Sequence, residues 1–388
     1  MNQIKDSELK LAILGGGQLG KMLIEAASDW NIQTFVLDPD PDCSCAHLAY
    51  EFTCGSFKDY ETVYQFGQKA DKITIEIEHV NVEALIQLKK EGKEIYPDPE
   101  ALMIIQDKGR QKLFYEDQEL PTSNFQIADH KFELQELIRE EKINFPFVQK
   151  NCKAGYDGKG VQIIRSETDM HLLFDDASVI EDLVDIEKEL SVIVARDKNG
   201  NTNCFPVVEM EFHPTANLVE FLSAPAQITK EQNDLAGLIA KNTINAFNIT
   251  GILAVELFLT KAGEILINEV APRPHNSGHH TIEANYTSQY EQLLRCIFDL
   301  PLGSTHLRSS AVMVNLLGEE NFTGEAIYEG MDTCLALEGV YVHLYGKKIT
   351  KPFRKMGHVT IIGDDIQGAK EKAKFVKEKF KIISQLAD

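Results

Sequence analysis

Two glutamates on neighbouring apolar segments have the spacing of a metal-binding hairpin. Glu256 lies in the segment LAVELFL and Glu269 in ILINEV, and the residues KAGE that follow Thr260 are typical of a turn. If Thr260 pairs with Ile265, Glu256 faces Glu269 with the β-carbons about 5 Å apart. Two carboxylates so close together in apolar surroundings repel each other, and a magnesium ion between them would relieve the repulsion. Mg²⁺ binds one or two protein carboxylates and completes its shell with water and phosphate oxygens. The alternatives are a different register or a glutamate that faces solvent on an edge strand.

A glycine-rich turn follows the first predicted strand. The segment from Gly15 to Gly20 reads GGGQLG, which matches the G-x-G-x-x-G pattern, and Asp38 ends the next predicted strand, where dinucleotide-binding folds hold a ribose. This pattern alone suggests a nicotinamide-dependent oxidoreductase. It is weakly specific, because any tight strand-to-helix turn that lets a phosphate approach backbone N–H groups favours these glycines.

A second glycine-rich segment, AGYDGKG, separates the predicted strands FPFVQK and VQIIR. Lys150 ends the first of these strands. A flexible turn beside lysines can fold over a polyphosphate with its N–H groups inward, whereas the alternative is an exposed hairpin tip. Glu181 and Asp182 end another predicted strand and Glu189 follows them, which by itself would indicate only a solvated acidic surface.

The segment PRPHNSGHH follows the second glutamate of the predicted hairpin. Its histidines, His275, His279 and His280, raise the question of a zinc site. The prolines and glycine exclude a regular helix and no cysteine is near, so zinc is disfavoured. Dense polar donors beside a metal-bearing hairpin favour a substrate pocket instead.

A basic segment near the C-terminal end contrasts with the acidic chain around it. Five cations and no anion occur within nine residues, namely Lys347, Lys348, Lys351, Arg354 and Lys355. This pattern is typical either of a solvated loop or of a clamp for a phosphate group.

The elements that must position these residues fall into three parts. From Leu9 to about Pro97, apolar runs alternate with helical patterns, which predicts βαβ units and a parallel sheet. From about 107 to 300 the pattern is α+β, and from Ser310 further strands precede a closing helix near 366–380. The predicted strands of the middle part are INFPFVQ, GVQIIR, SVIEDLV, LSVIVAR, CFPVVEM, GILAVELFLT and EILINEV, and its clearest helices lie near 132–141, 232–247 and 288–298.

Composition limits the classes of function. The 388 residues carry a formal net charge of −21 and are 43% hydrophobic, which is enough for two to three globular domains and repels nucleic acid. The seven cysteines include no C-x-x-C pair, which argues against a disulfide framework and a zinc ribbon. No stretch has the roughly 18 apolar residues of a membrane helix, and no apolar signal region follows the first lysines. We therefore expect a cytoplasmic chain without nucleic-acid or membrane partners.

Read together, the segments GGGQLGKM, EIEHV, AGYDGKG, INEVAPRPHNSGHH and FRKMGH resemble the ATP-grasp superfamily. Within it they resemble the bacterial-type 5-(carboxyamino)imidazole ribonucleotide synthetases of purine biosynthesis. The resemblance covers nearly the whole chain. It implies that ATP phosphorylates bicarbonate and that the resulting carboxyphosphate carboxylates the amine of aminoimidazole ribonucleotide, with Mg²⁺ as cofactor and with a homodimer as the assembly.

The resemblance also implies a fold of class α/β and α+β. It predicts an N-terminal βαβ pre-ATP-grasp domain over 1–106, a central ATP-grasp domain over 107–304 and a small C-terminal β-rich domain over 305–388. The central domain would carry a lid at about 122–185.

The roles of individual residues follow from matching positions. The ATP contacts would be Lys108, Lys150, the lid residues Gly155, Tyr156, Asp157, Gly158, Lys159, Gly160 and Val161, the adenine hinge Glu181, Asp182, Leu183 and Val184, and also Glu189, His213, Asn268 and Glu269. Magnesium would be held by Glu256 and Glu269. The carboxylation residues would be Tyr156, Asp157, Lys159, Arg273 and His275, and the acceptor would contact Gln18, Leu19, Glu76, Asn276, Ser277, Lys347, Arg354 and Lys355.

Three departures from the wider superfamily bear on these roles. Lys108 and Lys159 stand where relatives carry arginine, which keeps the charge but loses a planar two-pronged contact. Ala271 replaces the asparagine of the common Glu-x-Asn-x-Arg pattern, a departure that the synthetases share. The alternatives are a formate-dependent glycinamide ribonucleotide transformylase, another ATP-grasp ligase, an NAD-dependent oxidoreductase and a catalytically silent nucleotide-binding scaffold.

Overall fold

The computed structural model describes residues 5, 9–153, 160–212 and 218–385. Its N-terminal part is the predicted βαβ unit, a parallel sheet in the order β3-β2-β1-β4-β5. Its strands are β1 (Lys10–Leu14), β2 (Gln33–Asp38), β3 (Glu51–Cys54), β4 (Lys72–Ile75) and β5 (Glu94–Tyr96), and its helices are α1 (Gln18–Ser28), α2 (Tyr60–Gly67), α3 (Val82–Lys90) and α4 (Pro99–Ile105).

The strand order of this sheet determines where a ligand can bind. The central strands β1 and β4 are near-continuously buried, as expected of parallel strands covered on both faces. The chain leaves β1 for one side of the sheet and β4 for the other, so the order reverses between these two neighbours. Crevices at such a reversal, at the carboxyl ends of the strands, are the usual ligand sites of α/β sheets. The turn at Gly15 follows β1 and Glu76 follows β4, so both lie at this crevice.

A small antiparallel sheet with its own apolar core forms the predicted lid. Its strand order is β6-β9-β7-β8, and Ala128, Leu134, Phe147 and Ile180 are buried between the sheet and its helix. The elements are α5 (Lys108–Asp117), β6 (Phe125–Ala128), α6 (Lys131–Arg139), β7 (Phe147–Asn151), β8 (Val161–Ile164) and β9 (Ser178–Asp182).

In the described part of the chain, a nine-stranded sheet runs through the rest of the molecule in the order β15-β14-β10-β12-β13-β16-β21-β19, with β11 paired to β10. The C-terminal strands therefore extend the central sheet. The nine strands are β10 (Ile186–Arg196), β11 (Thr202–Cys204), β12 (Val208–Phe212), β13 (Val219–Ala224), β14 (Gly251–Thr260), β15 (Ile265–Ala271), β16 (Ser310–Leu317), β19 (Val340–Leu344) and β21 (Lys355–Gly363). Two separate two-stranded sheets pair β17 (Gly324–Glu325) with β20 (Ile349–Thr350) and β18 (Ile327–Glu329) with β22 (Lys381–Ile383). The helices are α7 (Lys230–Ala246), α8 (Thr281–Ala284), α9 (Gln289–Ile297), α10 (Met331–Leu335) and α11 (Ile366–Lys379).

The predicted helices of the middle part and the closing helix correspond to α6, α7, α9 and α11. The predicted strand CFPVVEM is wrong as one unit, because the chain leaves the sheet after Cys204 and rejoins it at Val208. The N-terminal part packs on the central part through α1 and α9, where the Tyr290 hydroxyl lies 3.4 Å from the Met22 sulfur. Among the described residues, no helix has the length and apolar character needed to cross a membrane.

The predicted register of the β14–β15 hairpin is wrong by one residue near the turn. Thr260 does not pair with Ile265; Leu259 does. A β-bulge then inserts one extra residue, Asn268, so that beyond it Glu256 faces Glu269 as predicted. The bulge turns the backbone locally and re-aims side chains, a device often found beside active sites.

Candidate functional site

The hairpin brings three oxygen-bearing side chains to one place. Glu256 on β14 is opposite Glu269 on β15, and Asn268 occupies the bulge next to it. About 44% of the Glu269 side chain and 15% of the Glu256 side chain remain accessible to solvent. The carboxylates are thus enclosed by protein yet open on one side, where a ligand can reach them.

Lysines from two other elements reach this hairpin. Lys108, at the start of α5, places its Nζ 2.5 Å from Oε2 of Glu269. Lys150, on β7 of the lid, donates to Oδ1 of Asn268 at 2.8 Å and lies 3.0 Å from Oε1 of Glu181. A small cavity at this point is lined by Lys108, Gln111, Lys112, Lys150, Glu181 and Asn268.

The two hairpin glutamates differ in their affinity for protons. Burial, followed by the repulsion from Glu269 and Glu189, raises the pKa of Glu256 above its usual value. The pKa of Glu269 is lowered, because the attraction of Lys108 outweighs the effect of burial. A second negative charge on Glu256 beside Glu269 is therefore disfavoured unless a further cation lies near both carboxylates.

The donor set fits a magnesium ion. Two carboxylates and one amide oxygen are hard oxygen ligands, and Mg²⁺ completes its octahedron with water and phosphate oxygens. Among the described residues, no group of three or more histidines, cysteines, aspartates or glutamates could hold a metal by itself. The hairpin could therefore hold a metal ion that a phosphorylated ligand shares.

The hinge between the lid and the central sheet carries Glu181, which is 3% exposed at the end of β9. Ser123 donates to its Oε2 at 2.8 Å, and Lys112 of α5 lies 3.3 Å from its Oε1. Burial would raise the pKa of this carboxyl, but Lys150 and Lys112 together hold it below its usual value. Lys112 was not predicted from the sequence, although its position one helical turn after Lys108 was a signal that both could reach one cavity.

A partly apolar wall lies beside the hinge. Phe258 and Leu266 are paired across the hairpin, and Glu189 on β10 is opposite Phe258. Burial raises the pKa of Glu189 to about 7, although Lys150 lowers it. A neighbouring cleft is lined by Ser123, Asn124, Asp182, Val184, Asp185, Thr260, Lys261, Ala262, Glu264 and Leu266. The hinge residues Asp182 and Val184 therefore lie where a flat ring could enter.

A chain of polar contacts leads from the hairpin into the segment after it. Nε2 of His275 lies 3.4 Å from Oε1 of Glu256, and its Nδ1 lies 2.9 Å from the Ser277 hydroxyl. That hydroxyl in turn lies 2.8 Å from the Ser191 hydroxyl. The buried Gln289 accepts from the His275 N–H and donates to the His275 carbonyl, both at 2.8 Å. Neither Ser191 nor Gln289 was predicted, because both contact residues that are distant in the sequence.

Arg273 and Asn276 continue this segment toward the N-terminal crevice. Arg273 donates to Oε1 of Glu78 at 2.7 Å. The Asn276 side-chain nitrogen is buried and has no hydrogen-bond partner among the described residues. A buried donor without an acceptor is costly, and a bound ligand would relieve that cost.

Carboxylates of the protein itself fill the glycine-rich turn. Asp38 accepts from the Gly16 N–H at 2.7 Å. A β-carbon added at Gly17 would lie 2.3 Å from Oε1 of Glu76, so the glycine makes room for that carboxylate. Burial raises the pKa of Glu76, while Arg273 and the Gly17 N–H oppose the shift. The turn therefore does not cradle a pyrophosphate in this arrangement, and the dinucleotide interpretation is wrong.

The first turn of α1 contains the predicted contacts Gln18 and Leu19. The Leu19 side chain is 7% exposed and packs into the apolar core. The side chain of Leu19 therefore faces the apolar core, and its predicted contact with an acceptor stays a prediction. The backbone N–H groups of this turn have no intrahelical acceptor and remain suited to an anion.

The basic segment of the C-terminal part lies on the same crevice. Lys348 pairs with Asp42 of the N-terminal part at 2.6 Å, which ties the segment to the region of the glycine-rich turn. Lys347 donates to the Lys355 carbonyl at 2.8 Å, and Arg354 donates to the Ile349 carbonyl at 2.6 Å. Lys355 is close enough to Glu256 to oppose the rise of its pKa.

Some predicted residues cannot be placed. Gly155, Tyr156, Asp157, Gly158, Lys159 and His213 lie outside the described residues. The described end of the lid turn consists of Gly160, whose carbonyl accepts from the Asn151 N–H at 2.9 Å, and Val161, which pairs with Lys150. The turn therefore begins and ends next to Lys150.

Three family models match consecutive parts of the chain. Residues 9–106 match the ribonucleotide synthetase preATP-grasp domain, residues 113–290 the ATP-grasp domain, and residues 311–372 the phosphoribosylaminoimidazole carboxylase C-terminal domain. The matches follow the predicted order of three domains. The exact boundaries, and the limits of the lid, stay predictions.

Curated relatives cover almost the whole chain. The N5-carboxyaminoimidazole ribonucleotide synthase of Bacillus subtilis is 37% identical, over 91% of this chain and 91% of its own length. The chloroplastic phosphoribosylaminoimidazole carboxylase of Vigna aconitifolia is 38% identical over 92% of this chain. The chain spans 65% of the length of that plant protein.

Solved structures agree with these relatives. The N5-carboxyaminoimidazole ribonucleotide synthetase of Thermotoga maritima has 42% identity and a TM-score of 0.89, over 97% of this chain and 99% of that one. The N5-carboxyaminoimidazole synthase of Aspergillus clavatus, solved with ADP and 5-aminoimidazole ribonucleotide, has 30% identity and a TM-score of 0.85 over 96% of this chain and 99% of that one.

Proposed function

Because this chain belongs to the N5-carboxyaminoimidazole ribonucleotide synthase family, we propose that it carboxylates 5-aminoimidazole ribonucleotide with bicarbonate at the expense of ATP. Bicarbonate would be phosphorylated to carboxyphosphate, which makes phosphate the leaving group in place of hydroxide. The amine of the ribonucleotide would then take up the carboxyl group, giving N5-carboxyaminoimidazole ribonucleotide, ADP and phosphate. The carboxylated ribonucleotide would be an intermediate of purine biosynthesis.

One observation carries the proposal, namely the position of the Glu256–Glu269 hairpin between two charged regions. On one side, Glu269 contacts Lys108 next to the cavity that Lys150 and Glu181 line. On the other side, Glu256 is 3.4 Å from His275, which leads to the N-terminal crevice. A phosphoryl group at the hairpin would therefore lie between a nucleotide and an acceptor, as the proposed reaction requires.

The nucleotide would occupy the region between the lid and the central sheet. Lys108 and Lys150 would contact its phosphates, with the lid turn 155–161 folded over them. Its base would lie beside Phe258 and Leu266 and meet the backbone of 181–184, while Glu189 would accept from the ribose hydroxyls. A pKa of about 7 allows Glu189 to be a carboxylate at and above neutral pH.

Magnesium would supply charge stabilisation at the transferred phosphoryl group. Glu256 and Glu269 would hold it, with Asn268 beside them. With the ion held there, Lys108 would no longer be needed to neutralise Glu269 and would be available to the phosphates. The split pKa values of the two glutamates support this role, since a cation between them removes their mutual repulsion.

The acceptor would occupy the N-terminal crevice. Glu76, Asn276 and Ser277 would contact its imidazole and ribose, and the N–H groups at Gln18 and Leu19 are available to it. Its 5′-phosphate would be clamped by Lys347 and Arg354, with Lys355 in support.

The carboxylation step would take place between the lid and the hairpin. Tyr156, Asp157 and Lys159 would approach bicarbonate from the lid, with Arg273 and His275 on the other side. His275 or Asp157 would accept the proton that the amine loses. Exclusion of water by the lid would protect carboxyphosphate from hydrolysis.

The proposal is tested by supplying isotopically labelled bicarbonate, ATP, Mg²⁺ and aminoimidazole ribonucleotide and identifying the product. Label in a carboxylated ribonucleotide, formed with one phosphate per turnover, is the expected result. Turnover with formate and glycinamide ribonucleotide instead would favour the transformylase alternative, and ATP binding without turnover would favour a scaffold. A homodimer and a cytoplasmic location stay predictions.

A further inference from the structure

Three lysines, Lys108, Lys112 and Lys150, line one small cavity, and the proposed function gives a role to only two of them. Lys112 is 3% exposed. Its Nζ lies 2.6 Å from the Thr122 hydroxyl, 3.0 Å from the Ser123 hydroxyl and 3.3 Å from Glu181. The ammonium group thus has a partner for each of its three protons and does not need a ligand.

The partner of Lys112 is shared with Lys150. Oε1 of Glu181 lies 3.0 Å from the Nζ of Lys150 and 3.3 Å from that of Lys112. Both Lys112 and Glu181 have side chains only 4% exposed, whereas Lys150 is 13% exposed and borders the open side of the cavity. Lys150 is therefore the cation that can move toward a ligand, and Lys112 is the one that stays.

The movement of Lys150 raises a charge problem. If Lys150 leaves Glu181 for a phosphate group, a buried carboxylate loses one of its two cations. A buried carboxylate without any cation is strongly disfavoured, and it would hold Lys150 in place. Lys112 prevents this outcome, because it keeps Glu181 neutralised whichever contact Lys150 makes.

Lys112 is itself fixed to the metal-binding hairpin. The Thr122 hydroxyl that it contacts donates to the Ile267 carbonyl of β15 at 2.9 Å. The Phe125 ring of the lid lies 5.9 Å from the Lys112 nitrogen. Burial lowers the pKa of Lys112 to about 8, which leaves it mainly charged at neutral pH.

We propose that Lys112 is a positioning residue, which holds Glu181 in place and thereby releases Lys150 to bind the nucleotide phosphates. This inference rests on the proposed function, because it assumes that Lys150 contacts phosphates. It predicts that the loss of Lys112 weakens nucleotide binding although Lys112 does not touch the nucleotide.

The test measures the affinity for Mg-ADP by calorimetry in four proteins: the wild type, Lys112→Met, Glu181→Gln and the double variant Lys112→Met/Glu181→Gln. We expect Lys112→Met to bind at least tenfold more weakly than the wild type, with an unchanged KM for aminoimidazole ribonucleotide. The double variant should bind within threefold of Glu181→Gln, because an uncharged residue 181 no longer retains Lys150.

The matched control is Lys72→Met, which removes another partly buried lysine, 2.5 Å from Glu94 in the N-terminal part. It should lower the melting temperature and leave the affinity for Mg-ADP unchanged. If Lys112 is merely structural, Lys112→Met behaves in the same way, and that result overturns the inference.

The remaining outcomes are also decisive. A double variant that binds at least tenfold more weakly than Glu181→Gln overturns the inference, and this comparison holds even if Lys112→Met alone fails to fold. A wild type that does not bind Mg-ADP removes the proposed function itself. Binding by the wild type with equal binding by Lys112→Met removes only the role of Lys112.

Discussion

The nucleotide region and the acceptor region of the site hold their charges in different ways. In the nucleotide region the lysines contact carboxylates of neighbouring elements, as Lys108 does with Glu269 and Lys150 with Glu181. In the acceptor region, Arg354 instead donates to a backbone carbonyl, and Glu76 is held against the glycine-rich turn. A ligand must therefore exchange ion pairs in the first region, whereas in the second Arg354 and Glu76 are oriented by backbone groups and Arg273 keeps an ion pair with Glu78.

The difference follows from how each region is built. The nucleotide region lies within the central part of the chain, where the hinge joins the lid to the sheet that carries the hairpin. The acceptor region combines Glu76, Arg273 and Arg354, which belong to three separate parts of the chain. Substitutions in the nucleotide region should thus change turnover and the pKa values of neighbouring groups. Substitutions in the acceptor region should change mainly the KM for the acceptor.

The largest effect is expected for Glu269→Gln. Loss of one metal-binding carboxylate should remove several kcal/mol of transition-state stabilisation, which lowers kcat by about a thousandfold. The measurement is phosphate release that depends on both Mg²⁺ and the acceptor. Glu231→Gln, which changes an exposed glutamate in the first turn of α7, is the control and should keep wild-type rates. Near-normal turnover by Glu269→Gln would remove the metal assignment.

Arg354→Ala should act on the acceptor region instead. Loss of a charged hydrogen bond to a phosphate costs about 1.5–3 kcal/mol, so the KM for the acceptor should rise about 10- to 100-fold while the affinity for ADP stays the same. Lys351→Ala, which changes an exposed lysine of the same segment, should have little effect. An unchanged acceptor KM in Arg354→Ala would make this segment a solvated loop.

Glu189→Gln should stabilise the fold and weaken nucleotide binding. Because burial raises the pKa of Glu189 from 4.5 to about 7, the folded protein binds more protons than the unfolded one in this window, and stability falls as the pH rises through it. Removing the charge should therefore raise the free energy of unfolding by about 1–2 kcal/mol at pH 8, with little difference below pH 4.5. Denaturant unfolding at both pH values checks the sign.

Glu187→Gln is the control for that experiment, since it changes an exposed glutamate of the same strand. It should alter neither stability nor nucleotide affinity. A Glu189→Gln variant that is less stable than the wild type at pH 8 would contradict the raised pKa of this half-buried carboxylate.

The smallest effect is expected for Lys348→Ala. Both side chains of its ion pair with Asp42 are exposed to solvent, and such pairs contribute little to stability. The melting temperature and the acceptor KM should stay close to wild-type values, in contrast to Arg354→Ala. A large rise in the acceptor KM would mean that the whole basic segment acts as one clamp.

The sequence predicted the nucleotide region better than the acceptor region. The pairing of Glu256 with Glu269 was predicted from two apolar strands and a turn, but it arises because a bulge offsets a register that differs by one residue near the turn. The bulge at Asn268 could not be foreseen, because it depends on how β15 pairs beyond the turn. The merging of the C-terminal strands into the central sheet likewise depends on β13 pairing with β16 across a long connection.

The acceptor region was assigned through resemblance, and its contacts are set by packing between distant segments. No local pattern places Gln289 against the backbone of His275 or Glu76 inside the glycine-rich turn. The glycine pattern even suggested the wrong ligand, since the same small residues can admit a carboxylate of the protein or a phosphate. Lys112 was missed for a related reason: a lysine on a helix is ordinarily a surface residue, and its burial depends on Glu181.

The most direct test of the central claim is the fate of oxygen in bicarbonate. With ¹⁸O-labelled bicarbonate, ATP, Mg²⁺ and aminoimidazole ribonucleotide, attack of a bicarbonate oxygen on the transferred phosphoryl group should place one labelled oxygen in the released phosphate. Mass spectrometry of that phosphate measures the transfer. Labelled phosphate formed only in the presence of the acceptor is the expected result, and unlabelled phosphate during full turnover would contradict it.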